Sequence, residues 1–375
     1  MKILIISNLY PSTEKIGNEI GNMLLHHYAR HLVKNHQLTV INPHSYNLLE
    51  IFRRERFVRS FTLDGIKIFN RSVLRLPGDY LVKRKFRSVV DVKDCELLIG
   101  CLPVGLEIAN YLSKKFHVPH ISYLHITDFY RSGVSENKLT SKYRNFLQSA
   151  AGFAFISAKL QKSFQRHLGK GINQCILPGA ISKEWVEALK DRTFELGDSV
   201  RIVTPSRIIQ RKNIELILEA LQVLDDDRLH FTLAGHGEHA RKLEEKCREE
   251  ALLDSSVSFV GVKTHSEIRE LMDANDFMIL LSVNESFGLV YLEAMARGSI
   301  TIGTKGEGID GVIEHGKNGF LCEPTTAALV ELFKEILAME PSQLSTVSKA
   351  GQVTAQQYLY ENQAQHFVEF IEKCL

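Results

Sequence analysis

No long hydrophobic run occurs in this sequence. Nothing in it approaches the ~18–20 apolar residues of a membrane span. The opening Ile3-Leu4-Ile5-Ile6 run is too short for the core of a secretion signal, and polar Ser7-Asn8 and then Pro11 follow it without a small-residue cleavage site. That run is therefore expected to be a first buried strand, and the chain to be cytosolic. The six cysteines (Cys95, Cys101, Cys175, Cys247, Cys322 and Cys374) include no C-x-x-C pair. Such scatter argues against a zinc site or a disulfide framework and for reduced, structural thiols. There is no low-complexity tract and no internal repeat. The G-x-G-x-x-G that a dehydrogenase would carry after its first strand is missing. So are helix-turn-helix, RRM and zinc signatures of nucleic-acid binding.

What is there is an ordinary globular composition, with 375 residues, 44% hydrophobic and 24% charged. At roughly 100–200 residues per domain this suggests two domains. The net charge of +2 hides an asymmetry. Residues 1–190 carry 28 Lys/Arg against 14 Asp/Glu, whereas residues 191–375 carry 18 against 30. A basic first half points to an anionic surface, either membrane or nucleic acid. Clusters such as Phe52-Arg53-Arg54-Glu55-Arg56-Phe57-Val58-Arg59 and Lys83-Arg84-Lys85-Phe86-Arg87 interleave aromatics with cations, which suits a headgroup layer.

Along the chain, Lys2–Ser7 reads as a strand. A helix with apolar positions from Met23 to Val33 follows, and then a strand over Gln37–Asn42. Strand, helix, strand at that spacing is a βαβ unit and implies a parallel sheet. Segments 97–100, 121–124 and 153–156 read as further buried strands. The second half repeats the grammar more cleanly, with strands at 200–204, 230–234, 257–260, 277–282 and 299–303. Helices at 214–224, 239–250, 266–275 and 289–297 lie between them. Alternation of this kind means a doubly wound sheet. A helical stretch is expected at Lys183–Lys190, just before the polar Leu196-Gly197-Asp198-Ser199. The expected fold class is α/β, with two tandem Rossmann-like domains facing across a cleft. The first spans residues 1–190 and the second 191–354, and a last helix over 355–375 crosses back to the first.

Open α/β sheets bind ligands outside the carboxyl ends of their strands. After Val200–Thr204 come Arg207, Arg211 and Lys212, just before a helix start. The helix dipole disfavours cations there by ~0.3–1 kcal/mol each. Either an anion such as a diphosphate is held at that place, or the loop is simply solvated. Gly235 and Gly237 follow the next strand, where they allow close approach of a ligand or a plain tight turn. Gly261 ends the strand after that. The fourth strand runs into Ser282-Val283-Asn284-Glu285-Ser286-Phe287-Gly288 and a helix opening Leu289-Val290 that carries Glu293. Free backbone N–H groups at that helix start suit phosphate, and two carboxylates suit hydroxyls. Phosphate plus hydroxyls describes a nucleotide sugar. Equally, on spacing alone, Glu293 is a surface helix residue and Glu285 a partner of the helix dipole.

Glu285 and Glu293 form a Glu-x7-Glu pair followed by Ala-Met-Ala-x-Gly. With Arg207 and Lys212, the Ala-Gly-x-Gly turn and the Glu314–Leu321 segment, this half resembles the family-four retaining glycosyltransferases of the GT-B fold, in particular those of bacterial cell-surface polysaccharide synthesis. The resemblance implies that Arg207 and Lys212 neutralise a donor diphosphate. It implies that Glu285 holds hydroxyls of the donor sugar, Glu293 holds the ribose, and the Ser286-Phe287-Gly288 backbone lies against sugar and phosphate. By the same resemblance His125 lines the sugar site from the first domain, and Gly17, in the loop Ile16–Gly21, is the glycine that approaches the donor.

The reaction so implied is transfer from a nucleotide sugar, UDP-sugar before GDP-sugar, with retained configuration and without cofactor or metal. The formal D-x-D at Asp225-Asp226-Asp227 lies at the sheet edge opposite the ligands, as a solvated turn. The acceptor is a hydroxyl of a glycan or lipid-linked molecule, met peripherally at the inner face of an anionic membrane, with no nucleic acid involved. Competing readings are a nucleotide-sugar epimerase or phosphorylase of the same fold, or a nucleic-acid-binding protein using the basic half.

Overall fold

The computed structural model describes residues 1–8, 10–11, 23–46, 60–74, 91–125, 149–168, 172–189, 191–250, 252 and 256–375. Gly17 and the two basic stretches at 52–59 and 83–87 lie outside them. The chain falls into two compact units, residues 1–178 with 360–375, and residues 179–359.

The first unit contains β1 (Lys2–Ser7), α1 (Met23–Leu32), β2 (Gln37–Tyr46), β3 (Ser60–Leu63), β4 (Ile66–Leu74), β5 (Leu97–Cys101), α2 (Leu102–Phe116), β6 (His120–Leu124), β7 (Gly152–Phe155), α3 (Ala158–Leu168) and β8 (Asn173–Ile176). Its eight strands run in the order β3-β4-β2-β1-β5-β6-β7-β8. All neighbours are parallel except the β3–β4 hairpin. β1 is central and buried from Ile3 to Ser7, which explains a continuous apolar run in place of an alternating one. The β3–β4 hairpin turns at Asp64-Gly65, both with positive φ, as a tight two-residue turn requires.

In the second unit come β9 (Val200–Pro205), α4 (Ile214–Leu224), β10 (Leu229–Ala234), α5 (Ala240–Glu249), β11 (Val257–Gly261), α6 (His265–Ala274), β12 (Phe277–Leu280), α7 (Leu289–Ala296), β13 (Ile300–Thr304), β14 (Phe320–Cys322), α8 (Thr326–Leu337) and α9 (Pro341–Gln357). Its sheet is parallel, in the order β11-β10-β9-β12-β13-β14. Counted from β9 this is 3-2-1-4-5-6, the doubly wound order whose direction reverses between its first and fourth strands. Ile202, Phe231, Ile279, Ile217 and Phe333 fill the layer between sheet and helices. Helix ends follow local chemistry. Thr264 and Glu267 form a reciprocal capping box at α6, and the Thr325 hydroxyl accepts from the Ala328 N–H at α8.

Two expectations change. Lys183–Trp185 is a single 3-10 turn rather than the start of a helix to Lys190. The Arg297 guanidinium takes the Trp185 and Glu187 carbonyls at 3.1 and 2.8 Å, so these acceptors are spent outside any helix. The last helix, α10 (Tyr360–Cys374), begins at Tyr360 rather than near 355. Residues 355–357 belong to α9, and the Tyr358 carbonyl accepts from the Ile181 N–H at 2.9 Å. α10 packs within the first unit. The Tyr360 ring stacks on His27 at 3.8 Å, and Phe367 meets Tyr28 at 6.1 Å. Gly152 leaves the space that Phe370 and Cys374 occupy. Among the described residues no helix is long and apolar enough to cross a membrane.

Candidate active site

The reversal of strand order in the second unit places the loop after β9 beside the loop after β12. Three hydrogen bonds stitch these segments together. Thr204 Oγ1 donates to the Ile279 carbonyl at 2.5 Å, Asn213 Nδ2 to the Leu281 carbonyl at 2.8 Å, and the Val283 N–H to the Arg211 carbonyl at 2.9 Å. Asn213 and Asn284 both adopt positive φ, a conformation asparagine tolerates better than most residues. These turns aim Lys212 and Glu285 at each other.

Glu285 Oε2 accepts from Lys212 Nζ at 2.5 Å, Arg211 Nη1 at 3.1 Å and Ser282 Oγ at 3.1 Å. Burial pushes the Glu285 carboxyl up, but the Lys212 ammonium and Arg211 guanidinium outweigh it and hold the group below its ordinary value. For Lys212 burial dominates and draws the ammonium down, with Glu285 opposing. The Glu285 N–H in turn donates to Glu307 Oε2 at 3.0 Å, so both the backbone and the side chain of Glu285 are fixed.

The next residues open α7. Gly288 has φ +85°, and a Cβ there would lie 2.5 Å from the Tyr291 ring. That ring is itself pinned by its hydroxyl on the Leu280 carbonyl at 2.6 Å. Neighbouring glycines give the backbone room. A Cβ at Gly308 would meet the Ser286 oxygen at 2.3 Å, and one at Gly179 the buried Phe287 ring at 2.5 Å.

Four of the expected residues, Arg207, Gly235, Val290 and Glu293, surround one cleft of about 320 Å³, together with His236 and His265. Half-buried Glu293 has its carboxyl raised by burial to about 7, in contrast to Glu285. Gly235 and Gly261 are linked, N–H to carbonyl, at 2.7 Å. A Cβ at Gly235 would lie 1.9 Å from the Ser206 oxygen, and one at Gly237 would lie 2.1 Å from the Ile208 oxygen. Both glycines therefore admit the β9 loop backbone itself. Leu289, at the first turn of α7, is exposed.

His125 belongs to the first unit, immediately after β6. It is buried, edge-on to Tyr123 at 4.5 Å between ring centroids, and burial lowers its imidazole to about 4. Asp225-Asp226-Asp227 precedes β10, at the amino edge of the sheet. There Asp226 accepts from Arg228 Nε at 2.9 Å and Nη2 at 2.6 Å. Sequence reasoning counted Arg211 only as one of the three cations of its loop and gave no role to Ser282 or Glu307. Ser282 stood at the head of the Glu285 segment. Glu307 carried no local signal.

The profile of the family "Glycosyl transferases group 1" matches residues 186–353. Over 337 residues the chain is 49% identical to the N-acetyl-alpha-D-glucosaminyl L-malate synthase of Bacillus anthracis, covering 86% of this chain and 84% of that protein. It is 26% identical over 290 residues to the alpha-monoglucosyldiacylglycerol synthase of Streptococcus pneumoniae, covering 72% and 62%. Among solved structures, Anabaena HepE in complex with UDP superposes with a TM-score of 0.74 at 16% identity over the full length of both chains. The sucrose-phosphate synthase of Thermosynechococcus elongatus also gives 0.74 at 16%, covering 99% and 98%. Two parallel α/β units and these neighbours fit the two-domain GT-B fold. With about half of the aligned residues shared with that synthase across most of both lengths, this chain belongs to the group 1 glycosyl transferases.

Proposed function

We propose that the protein moves a sugar, with retained configuration, from a nucleotide sugar to a hydroxyl of a glycan or lipid-linked acceptor in cell-surface polysaccharide synthesis. The donor is a UDP-sugar, with GDP-sugar the next choice. One observation carries the reading. The Glu285 carboxylate is held by Lys212 and Arg211 in the loop before α7, and Arg207 and Glu293 line a cleft at the carboxyl edge of the same sheet. Glu285 then takes hydroxyls of the donor sugar and Glu293 those of the ribose. Arg207, Lys212 and the N–H groups opening α7 take the diphosphate. The UDP held by the structural neighbour HepE agrees with this donor class.

In the transfer, the bond from the anomeric carbon to the diphosphate oxygen breaks, and a bond from that carbon to the acceptor oxygen forms on the same face. The hydroxyl proton passes to the departing diphosphate. Negative charge develops on phosphate oxygens, where preorganised cations and N–H donors stabilise it without reorganising. No metal step is invoked, since Asp226 is engaged by Arg228 at the far edge of the sheet. His125 and Gly17 are assigned to the donor site from the first domain, and the basic first half to an anionic membrane surface.

A thermal-shift screen against UDP-, GDP-, ADP- and dTDP-sugars tests the donor. A ligand at ~100 times its dissociation constant adds ~2.7 kcal/mol of stability. The UDP-sugars should give the largest shift, and equal or absent shifts would refute the assignment.

A second reading follows from the 49% identity to the malate synthase, namely transfer of N-acetylglucosamine to a small hydroxy acid. Mass spectrometry of UDP-GlcNAc incubated with L-malate separates the two.

A further inference from the structure

Interior strands of a parallel sheet are expected to be apolar on both faces. In the first unit Ser7, His120 and Ser122 depart from this rule singly, and two polar residues depart from it side by side. Asn42 of β2 and Asn70 of β4 are paired in register, and both are buried. Their position is at the carboxyl edge. The last pair of β1 with β2 is Ile6–Ile41, whereas β2 and β4 continue together to Tyr46–Leu74. The two strands thus stand as a wall above the end of β1. Asn42 and Asn70 lie at its foot, and His44 lies two residues further up the same face.

These side chains form a connected cluster. Asn42 Nδ2 donates to the Tyr10 carbonyl at 2.7 Å and to Asn70 Oδ1 at 3.1 Å, and Asn70 Oδ1 lies 3.2 Å from His44 Nε2. Tyr10 is held from behind. Its hydroxyl is 2.8 Å from His26 Nδ1, and His26 Nε2 is 3.0 Å from Asp64 Oδ2, which also pairs with Arg30. Asn42 Oδ1 is buried with no hydrogen-bond partner among the described residues. A buried acceptor left unpaired costs about 1–3 kcal/mol. Such a cost in a strand that would accept a valine calls for a reason outside folding.

The chemistry of the cluster selects a class of ligand. Asn42, Asn70 and His44 offer donors and acceptors side by side, which matches a hydroxyl, itself both donor and acceptor. Among the described residues the nearby formal charges are engaged. Asp64 and Arg30 pair with each other, and Arg71, which bonds the Asn70 carbonyl, lies over the Phe69 ring on the opposite face of β4.

We infer that Asn42, His44 and Asn70 form a binding site for hydroxyls of an uncharged sugar ring, which is the acceptor. The inference rests on the proposed transfer and narrows its acceptor to a neutral glycoside over a carboxylate.

The test uses the full chain with the donor that gives the largest thermal shift. Methyl glycosides of glucose, galactose, mannose and N-acetylglucosamine are offered as acceptor probes, beside L-malate. The wild type should transfer to at least one glycoside. Asn42→Ala should raise the KM for that glycoside about tenfold, with the Kd for UDP, read by calorimetry, unchanged. Asn42→Ala removes two buried bonds, so His44→Ala at a half-buried position serves as the second variant and should show the same split. A wild type that transfers only to L-malate, or to none of these probes, overturns the inference. So does an unchanged acceptor KM in a folded variant, or an equal loss of UDP affinity. A wild type that binds no UDP removes the donor reading, and this inference falls with it.

Discussion

Lys212 Nζ lies 2.5 Å from Glu285 Oε2, with side chains only 11% and 13% exposed. Removing Glu285 leaves the largely buried Lys212 charge without its counterion, which costs roughly 3–5 kcal/mol, and removing Lys212 leaves Glu285 only the Arg211 guanidinium. Glu285→Ala and Lys212→Ala should therefore each lower the melting temperature as well as abolish transfer. The pair Lys212→Met with Glu285→Leu should recover most of the stability and none of the activity. Recovery of turnover in the double variant would show that the two charges serve the fold alone.

Glu293 makes stability depend on pH. Its folded-state value of about 7 lies above the ordinary 4.5, so between those values the folded protein holds a proton that the unfolded chain has released. Stability is then lost as pH rises from about 4.5 through 7. At ~1.36 kcal/mol per pH unit the loss is about 3 kcal/mol. Glu293→Gln should melt several degrees higher than wild type at pH 8, match it near pH 4, and bind UDP less tightly. A melting difference independent of pH would contradict the assignment.

The loop glycines offer a steric test. Gly308→Ala should push the Ser286 carbonyl aside, since the added Cβ would lie 2.3 Å from it. A fall of tenfold or more in kcat/KM is expected. At Gly197 a Cβ meets nothing within 4 Å, and Gly197→Ala should leave kcat/KM unchanged. Equal effects of the two substitutions would argue that Ser286 does not approach the donor.

Metal removal should leave the rate unchanged. Asp226→Ala should also preserve kcat, at a stability cost no greater than about 1 kcal/mol for an ion pair partly open to solvent. Rates lost in EDTA and restored by magnesium or manganese would reverse this reading.

Much of the second unit was legible because each of its elements carries a local signature. The 214–224 helix was read with the bounds that α4 has, and the reversal of strand order explains why the two loops marked by Arg207, Lys212 and Glu285 come together. What escaped depends on partners distant in sequence. The 183–190 segment has helical composition, yet Arg297, more than 100 residues away, takes its carbonyls. β14 is three residues long, too short for any period. Glu307 reaches the Glu285 N–H only because β12 and β13 are neighbours. The β3–β4 hairpin was missed although Asp64-Gly65 between alternating apolar residues is a turn signal. Asn42 and Asn70 drew no attention because their pairing is a property of strand register.

Proton NMR of one reaction mixture tests the central claim most directly. Wild type and Glu285→Gln are each given UDP-GlcNAc or UDP-glucose, whose anomeric linkage is α, with methyl glycosides and L-malate present as acceptors. The account predicts release of UDP and an α-linked product from the wild type, and neither from Glu285→Gln. A β-linked product, or a Glu285→Gln rate equal to wild type, would contradict it.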